Sequence, residues 1–166
     1  MSAADAEVSV MPANEASWKD LQTVLGTRGQ ASRCQCQRYK LRPRESFASF
    51  PVEERAHRLR QQTDCGYPDS DTTSGLVAYL DGEPVGWYVF ASAGFRRHGV
   101  SRALARAAVD FARERGARAI EGYPMTTNDV ISEELHVATY STFAAAGFAK
   151  VSRPTLRRAV MRVDFW

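Results

Sequence analysis

The sequence predicts a mixed α/β domain of the α+β kind, a mostly antiparallel sheet flanked by helices, on three observations. Apolar residues recur with strand-like and helix-like spacing in alternation along the chain. Asp81-Gly82 separates two short apolar runs, which is a strong signal for an antiparallel hairpin. The 166 residues, with 44% hydrophobic content, suit one ordinary domain with its own core. We therefore expect residues 1–166 to form a single domain.

The first half of the chain is predicted to combine one strand with two helices. The elements are, in order, a strand at 7–11, a helix at 15–25, an irregular segment at 27–50 and a helix from 51 to about 62. Asn14 is suited to cap the first helix and Gly26 to end it. Pro51 and the two acids soon after it favour the start of the second helix.

The second half is predicted to complete the sheet. The elements are, in order, the hairpin runs 75–80 and 84–90, a helix at 100–116, a strand at 119–123, a helix at 132–146 and closing strands at 150–152 and 159–165. The helix that begins at Val100 has apolar residues on one side and charged residues on the other, and Gly116 ends it. Strands and helices alternate, as the fold class requires.

Composition and charge restrict the classes of function. No stretch reaches the about 18 apolar residues of a membrane span, and the N-terminus lacks the pattern of a secretory signal. We expect a cytoplasmic protein with no membrane partner. The net charge of +3 is spread along the chain, and Asp110 and Glu114 interrupt the arginine face of the long helix. Nucleic-acid binding is therefore not expected, and a small anionic ligand fits better.

The cysteines do not predict a disulfide framework or a metal site. Cys34, Cys36 and Cys65 are an odd number, and two of them are too close together at one end. With His57 they could in principle ligate zinc, but the C-x-C spacing is tighter than usual and the other residues are scattered. We expect reduced thiols and no metal.

The loop 95–101, FRRHGVS, joins the last hairpin strand to the long helix. A glycine-containing loop at a helix N-terminus presents free backbone N–H groups and the positive end of the helix dipole. Gly99 lets a ligand approach the backbone closely, and Arg96, Arg97 and His98 add positive charge. The arrangement predicts a phosphate site, although spacing alone leaves a solvated basic helix start as an alternative.

The spacing Arg96-Arg-His-Gly99-Val-Ser101 resembles the Q/R-x-x-G-x-G/A pyrophosphate loop of the GNAT acetyltransferase superfamily. A second family pattern is N-x-x-A-x-x-x-Y-x-x-x-G-F. The positions of this chain that correspond to it are His136, Thr139, Phe143, Gly147 and Phe148, of which the last two agree. With the hairpin and the closing strands, the resemblance spans residues 74–165. It implies a central sheet in which a splayed pair of strands forms the acetyl-CoA site.

The resemblance also implies acetyl-CoA as the donor and direct transfer of its acetyl group to a primary amine in a ternary complex. It assigns donor binding to the following residues: Phe90, Ala91, Arg96, Arg97, His98, Gly99, Val100 and Ser101. The expected acceptor is a small-molecule or peptide amine, with small-molecule amines, peptide N-termini and protein lysines all left open, and the resemblance implies that the variable segment 27–74 shapes its access. A homodimer is left open. The amine must lose a proton before it attacks, because a lysine-type amine has a pKa of about 10.4.

Departures from the family pattern leave the catalytic groups open. Phe143 stands where the family has a tyrosine, and it has no proton to give to the departing thiolate. Tyr140 and His136, expected on the same helix face as Phe143, are candidate acids, and departure through solvent is the alternative. Glu121 is the first candidate base and His136 the second. Each of these residues also has a purely structural interpretation, and a non-catalytic acyl-CoA-binding sensor is the alternative function.

One strand of the family pattern has no obvious counterpart. Only nine residues separate Gly86 from Arg96, where the family has a further strand. Either residues 85–92 serve as the donor-binding strand in a shortened fold, or a segment is missing between Tyr88 and Val89. We favour a missing segment, because deleting a central strand exposes the edges of its neighbours.

Overall fold

The computed structural model describes residues 7–38, 40–87, 90–91, 99–126 and 138–166. Its elements are, in chain order, β1 (Val8–Pro12), α1 (Trp18–Leu25), α2 (Gly29–Cys34), a 3₁₀ turn (Phe47–Ser49), α3 (Val52–Thr63), β2 (Leu76–Leu80), β3 (Glu83–Trp87), β4 (Phe90–Ala91), α4 (Val100–Glu114), β5 (Ala119–Gly122), α5 (Tyr140–Ala145), β6 (Ala149–Thr155) and β7 (Arg158–Asp164). The predicted fold class, a mixed α/β protein with antiparallel sheets flanked by helices, is confirmed.

The described strands form two sheets. One has the order β1-β2-β3-β4 and the other the order β5-β7-β6, and neighbouring strands in both are antiparallel. Helix α4 contacts strands of both sheets, including β4 and β5. These two strands, which follow one another along the chain, therefore lie at the junction where the donor site is expected.

The core is built on both faces of β2. Val77 and Tyr79 pack with α1, α3 and Trp87, whereas Ala78 and its apolar neighbours on the other face pack against Val100 and Leu104 of α4. All five residues of β2 are buried, as expected for a strand covered on both faces. A third cluster joins α4 to α5 and β7. Within the described ranges, no helix is both long and apolar enough to cross a bilayer.

Helix α1 begins later than predicted, and Asn14 does not cap it. The N-cap is Ser17, whose Oγ accepts a hydrogen bond of 3.0 Å from the Asp20 backbone N–H. Asn14 is only 2% exposed, and its side-chain amide donates to three backbone carbonyls of another loop, those of Tyr67, Pro68 and Ser70. The prediction was wrong because Asn14 is engaged by a loop more than fifty residues away.

The segment 27–50 is less irregular than predicted. It contains the six-residue helix α2 and a 3₁₀ turn, and the buried Arg55 of α3 connects the two. The Arg55 guanidinium donates to the carbonyl oxygens of Arg33 and Phe47 and lies 3.9 Å from the centre of the Phe47 ring. These contacts link residues far apart in the sequence, which local signals do not reveal.

The predicted hairpin is confirmed, but its second strand ends earlier than expected. Asp81 and Gly82 both have positive φ, 49° and 85°, as the two-residue turns of hairpins require. The apolar run 84–90 is not one continuous strand. Trp87 is paired with Phe90 in an antiparallel ladder, so the chain reverses direction and β4 follows as a separate strand of two residues.

The predicted helix over 132–146 is wrong in its extent. Thr139 is extended, with φ of −97° and ψ of 159°, and Ala138 has a φ of 63°, so α5 begins only at Tyr140. The Thr139 side chain caps the helix by accepting from the Thr142 backbone N–H. The rest of the predicted helix up to residue 137, including His136, lies outside the described residues.

Candidate functional site

The N-terminus of α4 presents backbone N–H groups that the helix itself does not use. Gly99 is the N-cap with a φ of 75°, and the first bond of the helix runs from the Ala103 N–H to the Gly99 carbonyl at 2.9 Å. The N–H groups of Val100, Ser101 and Arg102 therefore have no carbonyl partner within the helix. Among the described residues, a Cβ added to Gly99 would meet no atom within 4 Å. The positive end of the helix dipole lies at these N–H groups.

Burial fixes the position of this helix start. Val100 is 1% exposed and Leu104 is fully buried, and both pack against the sheet that contains β2 and β3. Ser101, one residue further on, is half-buried. The other predicted loop residues, Arg96, Arg97 and His98, lie outside the described part of the chain. Their predicted role stays a prediction.

Strand β4 supplies a backbone edge next to α4. Phe90 and Ala91 pair with Trp87 and Gly86 of β3, and β4 is the last strand in the order of its sheet. Among the described strands, none forms a ladder on its other side. Helix α4 contacts β4, so the helix and this edge strand are neighbours in the fold.

Glu121 on β5 is held by two hydrogen-bond donors. The Tyr123 hydroxyl donates to Oε2 at 2.7 Å, and Nη1 of Arg162 donates to Oε1 at 2.9 Å. Both hydrogen bonds lower the pKa of the Glu121 carboxyl, and the one from Tyr123 has the larger effect. The same Arg162 donates to Asp164 at 2.7 Å. Glu121 is therefore an ionised carboxylate, and its lowered pKa weakens it as a base.

Phe143, which stands at the tyrosine position of the family motif, is a core residue. A Cβ added to Gly122 of β5 would lie 2.6 Å from the Phe143 ring, so the ring packs directly on the strand. The ring also meets Phe148 edge to face, with 5.0 Å between ring centres. The contact between Gly122 and Phe143 was not predicted, although a glycine inside a strand pattern signals the close approach of another group.

Tyr140 lies near the chain that follows β5. It is the first residue of α5 and 38% exposed, and the preceding Thr139 forms a bridge with Met125. The residues described here offer no hydrogen-bond partner to its hydroxyl. The backbone at Ala138 and Thr139 is not helical, so α5 does not extend back from Tyr140 as predicted, and His136 lies outside the described residues.

Segment 27–74 contacts the end of β3 and is also held by hydrogen bonds within itself. The Trp87 indole N–H donates to Cys36 Sγ at 3.1 Å, and burial raises the pKa of the Cys36 thiol to about 11. Lys40 Nζ donates to Gln62 at 3.2 Å and to Ser74 at 3.4 Å, and burial lowers the pKa of its ammonium. No group of three or more His, Cys, Asp or Glu residues in the described ranges is placed to hold a metal ion.

The sequence matches the family model of the acetyltransferase (GNAT) family over residues 37–136, which is more than half of the chain. The chain belongs to the GNAT acetyltransferase family. It is therefore an acyltransferase, and the matched range of this GNAT chain contains β4, the start of α4 and Glu121. No curated protein matches the sequence significantly.

Two solved structures resemble this GNAT chain. Ard1 from Thermoplasma volcanium is 18% identical, with a TM-score of 0.54 over 96% of this chain and 98% of that chain. The NatC complex bound to Gag peptide and CoA is 14% identical, with a TM-score of 0.46 over 96% of this chain and 99% of that chain. The likeness to Ard1 shows that this chain has the GNAT fold.

The structure brings the predicted site residues together only in part. Gly99, Val100 and Ser101 form the start of α4, which contacts β4. Glu121 lies on β5, and the bridge from Met125 to Thr139 places the start of α5 beside the continuation of that strand. The predicted residues thus fall into one group at α4 and β4 and a second group around β5.

Proposed function

We propose that this GNAT protein transfers an acetyl group from acetyl-CoA directly to the primary amine of a small molecule or a peptide, within a ternary complex. The observation that carries the proposal is the start of α4, whose first N–H groups have no partner within the helix, on a helix that contacts β4, an edge strand among the described strands, inside the range that matches the family. In this proposal acetyl-CoA extends from the start of α4 to the edge of β4. The acceptor approaches from the side of the 27–74 segment.

The backbone performs most of the donor binding. The free N–H groups at residues 100–102 bind the pyrophosphate, helped by the positive end of the helix dipole. Arg96, Arg97 and His98 add charge around it. The free edge of β4, at Phe90 and Ala91, pairs with the amide groups of the pantetheine arm. Since Gly99 has no side chain, the phosphates can approach the backbone closely.

Transfer requires two proton movements. The neutral amine attacks the thioester carbonyl, so that a C–N bond forms, the C–S bond breaks and the thiolate leaves with the electron pair. In our proposal Glu121 accepts the proton of the amine and Tyr140 gives its hydroxyl proton to the thiolate. The lowered pKa of Glu121 keeps it ionised and ready to accept, while limiting its driving force as a base. His136 is the alternative candidate for either the base or the acid.

Donor binding is tested with Gly99→Glu, which places a side chain and a negative charge against the phosphates. We expect the affinity for acetyl-CoA, measured by calorimetry, to fall at least tenfold. Gly116→Glu is a matched control, because Gly116 follows the other end of α4, has a similar φ of 73° and is equally open. Unchanged affinity in folded Gly99→Glu protein would exclude this donor site.

Catalysis is tested with Tyr140→Phe and Glu121→Gln. Each should lower turnover by about 10²–10⁴-fold while acetyl-CoA affinity stays nearly constant, because proton transfer contributes in that range. Turnover is read as free thiol released with a panel of amines. Full turnover in both variants would refute both roles and make His136 the residue to test.

A non-catalytic acyl-CoA sensor is the second candidate. It is favoured by the burial of Phe143 in the core, at the position where the family has its tyrosine. If acetyl-CoA binds tightly and no amine in the panel releases thiol above the rate without acceptor, the sensor replaces the enzyme.

A further inference from the structure

The segment 27–50 carries more positive charge than the chain as a whole. It contains six basic residues and one acid, Glu45, whereas the whole chain has a net charge of only +3. The rest of the chain is therefore net negative. Five of the six basic residues are arginines, and all five are exposed. The last four of them along the chain are called the arginine cluster below: Arg33, Arg38, Arg42 and Arg44.

Contacts with the buried Arg55 of α3 hold the first half of the arginine cluster. The Arg55 guanidinium donates to the carbonyl oxygens of Arg33 and Phe47, at 2.6 and 2.9 Å. The guanidinium of Arg38 lies 4.6 Å from the centre of the Phe47 ring, and that of Arg55 lies 3.9 Å from the same centre. Since a cation over an aromatic ring is attracted by it, Arg38 is held beside this turn.

The second half of the arginine cluster is attached to the same helix through Glu45. The Arg42 backbone N–H donates to Oε2 of Glu45 at 2.8 Å, and the Glu45 backbone N–H donates to the Arg42 carbonyl at 3.0 Å. Arg58 donates to the Glu45 carboxylate at 3.0 and 2.8 Å. Arg58 follows Arg55 by three residues, so the two lie on one side of α3. The turn that contains Arg44 therefore lies on the same side of α3 as the first half of the cluster.

The charge of the arginine cluster is not balanced by neighbouring acids. None of its four residues forms an ion pair with a carboxylate of the described residues. Glu45 and Glu54 both face Arg58, at 2.8 and 3.6 Å. Arg55, only 7% exposed, likewise has no carboxylate partner in the described ranges. A polyanion brought to this surface would therefore meet positive charge that no described acid already pairs.

The residue types of this surface favour phosphate groups on a flexible strand. The planar guanidinium of arginine binds phosphate oxygens in a bidentate manner. A membrane surface fits less well, because it also needs apolar contact and the described residues of 27–50 expose no large hydrophobic side chain. Proteins that read a duplex insert a helix or a β-ribbon into a groove, whereas α2 has only six residues. A single strand can follow a positively charged surface of short elements and turns.

We propose that the arginine cluster binds the phosphate backbone of a single-stranded nucleic acid without reading its base sequence. Contacts to phosphates position a strand but carry no sequence information directly. Nucleic-acid binding is not expected of α4, because Asp110 and Glu114 interrupt its arginine face. Between Arg28 and Arg44, in contrast, no acid interrupts the basic residues. This interaction is independent of the proposed acetyl transfer.

The test is binding of two fluorescent strands, oligo(dT) and a mixed-sequence RNA without self-complementarity, read by anisotropy. Both have about 20 nucleotides, which exceeds the about 4–16 nucleotides that a single-strand-binding fold covers. We expect both to bind at about 0.05 M salt and to weaken steeply as salt is added, because bound phosphates release counterions. Arg42→Gln/Arg44→Gln should weaken both about three- to tenfold and lower the slope of log affinity against log salt by about 1.4, since each single-strand phosphate contact contributes about 0.7.

A matched control is Arg106→Gln/Lys150→Gln, which removes the same charge from two exposed side chains of α4 and β6 that form no ion pair within the described ranges. It should leave both affinities and the salt slope unchanged. Arg42→Lys/Arg44→Lys keeps the charges and should keep the slope. Urea unfolding shows whether each variant is folded.

Four results would overturn the inference. They are binding of neither or only one of the strands at low salt, an equal loss in the two Gln double variants, equal or tighter binding of a duplex of the same length, and tighter binding of a polyglutamate peptide. Acetyl transfer is measured separately. Strand binding by a protein that acetylates no amine contradicts only the proposed function, whereas acetylation of amines without strand binding contradicts only this inference.

Discussion

Gly122 and Phe143 illustrate how a single missing side chain decides the role of another residue. The Phe143 ring occupies the space that a Cβ on Gly122 would need, and Phe148 holds the ring from a second direction. The family pattern alone suggested a residue of the active site. The contact with the strand makes Phe143 a residue of the core instead.

The first prediction is that Gly122→Ala lowers the free energy of unfolding by about 1–3 kcal/mol, because the added methyl group overpacks the ring of Phe143. Urea unfolding measures the change. Phe143→Leu alone should also destabilise, since it leaves a cavity. In the double variant the smaller side chain makes room for the methyl group, so the combined loss should be less than the sum of the two. Strict additivity would contradict the contact.

At the scale of elements, a helix start depends on which of several polar residues reaches the free N–H groups. Asn14 and Ser17 both suit an N-cap. Asn14 is buried and donates to the loop at 67–70, and Ser17 caps α1. The sequence could show that a helix begins here, but not whether Asn14 or Ser17 is its N-cap.

The second prediction follows from that assignment. Ser17→Ala should lower the free energy of unfolding by about 1 kcal/mol, because the Asp20 N–H loses its acceptor. Ser17→Thr keeps an acceptor oxygen and serves as the matched control. Thermal and urea unfolding of both variants provide the measurement. Equal stability of Ser17→Ala and the parent protein would mean that the cap does not stabilise α1.

The family strand that has no obvious counterpart in the sequence also belongs to the scale of single elements. β4 is present, but it has two residues. The proposal that extra residues belong between Tyr88 and Val89 stays a prediction. An intact mass of the natural protein above the 18.4 kDa of this chain would support it, and an equal mass would mean a genuinely short strand.

At the scale of the whole molecule, an ion pair connects the chain before α3 to α3 itself. Arg58 donates two hydrogen bonds to the Glu45 carboxylate, at 3.0 and 2.8 Å, and stacks 3.9 Å from the centre of the Phe50 ring. Hydrogen bonds from the Arg58 guanidinium and from the Arg42 backbone lower the pKa of Glu45 to about 2. Because this pKa is lower in the folded state, ionised Glu45 stabilises the fold.

The third prediction concerns pH. The stabilisation is complete above the ordinary glutamate pKa of about 4.3 and is lost as the pH falls through the folded value of about 2. Glu45→Gln should therefore lower Tm at pH 7, and its difference from the parent protein should shrink steadily below about pH 4. The exposed Glu15→Gln is the control for removal of one charge. A difference in Tm that is constant between pH 7 and 3 would contradict the role of the pair.

The sequence by itself determined the fold class, the Asp81-Gly82 hairpin, the start of α4 at Gly99 and the family. Each depends on local signals, such as the spacing of apolar residues or a glycine that permits positive φ, which act over a few neighbouring residues. The tertiary structure decided the role of Asn14, the reversal of the chain after Trp87 and the burial of Phe143 against Gly122. These features depend on partners elsewhere in the chain or on the pairing of whole strands. Their energies arise only when distant segments pack together, so a local pattern, even the glycine in β5, does not identify the partner.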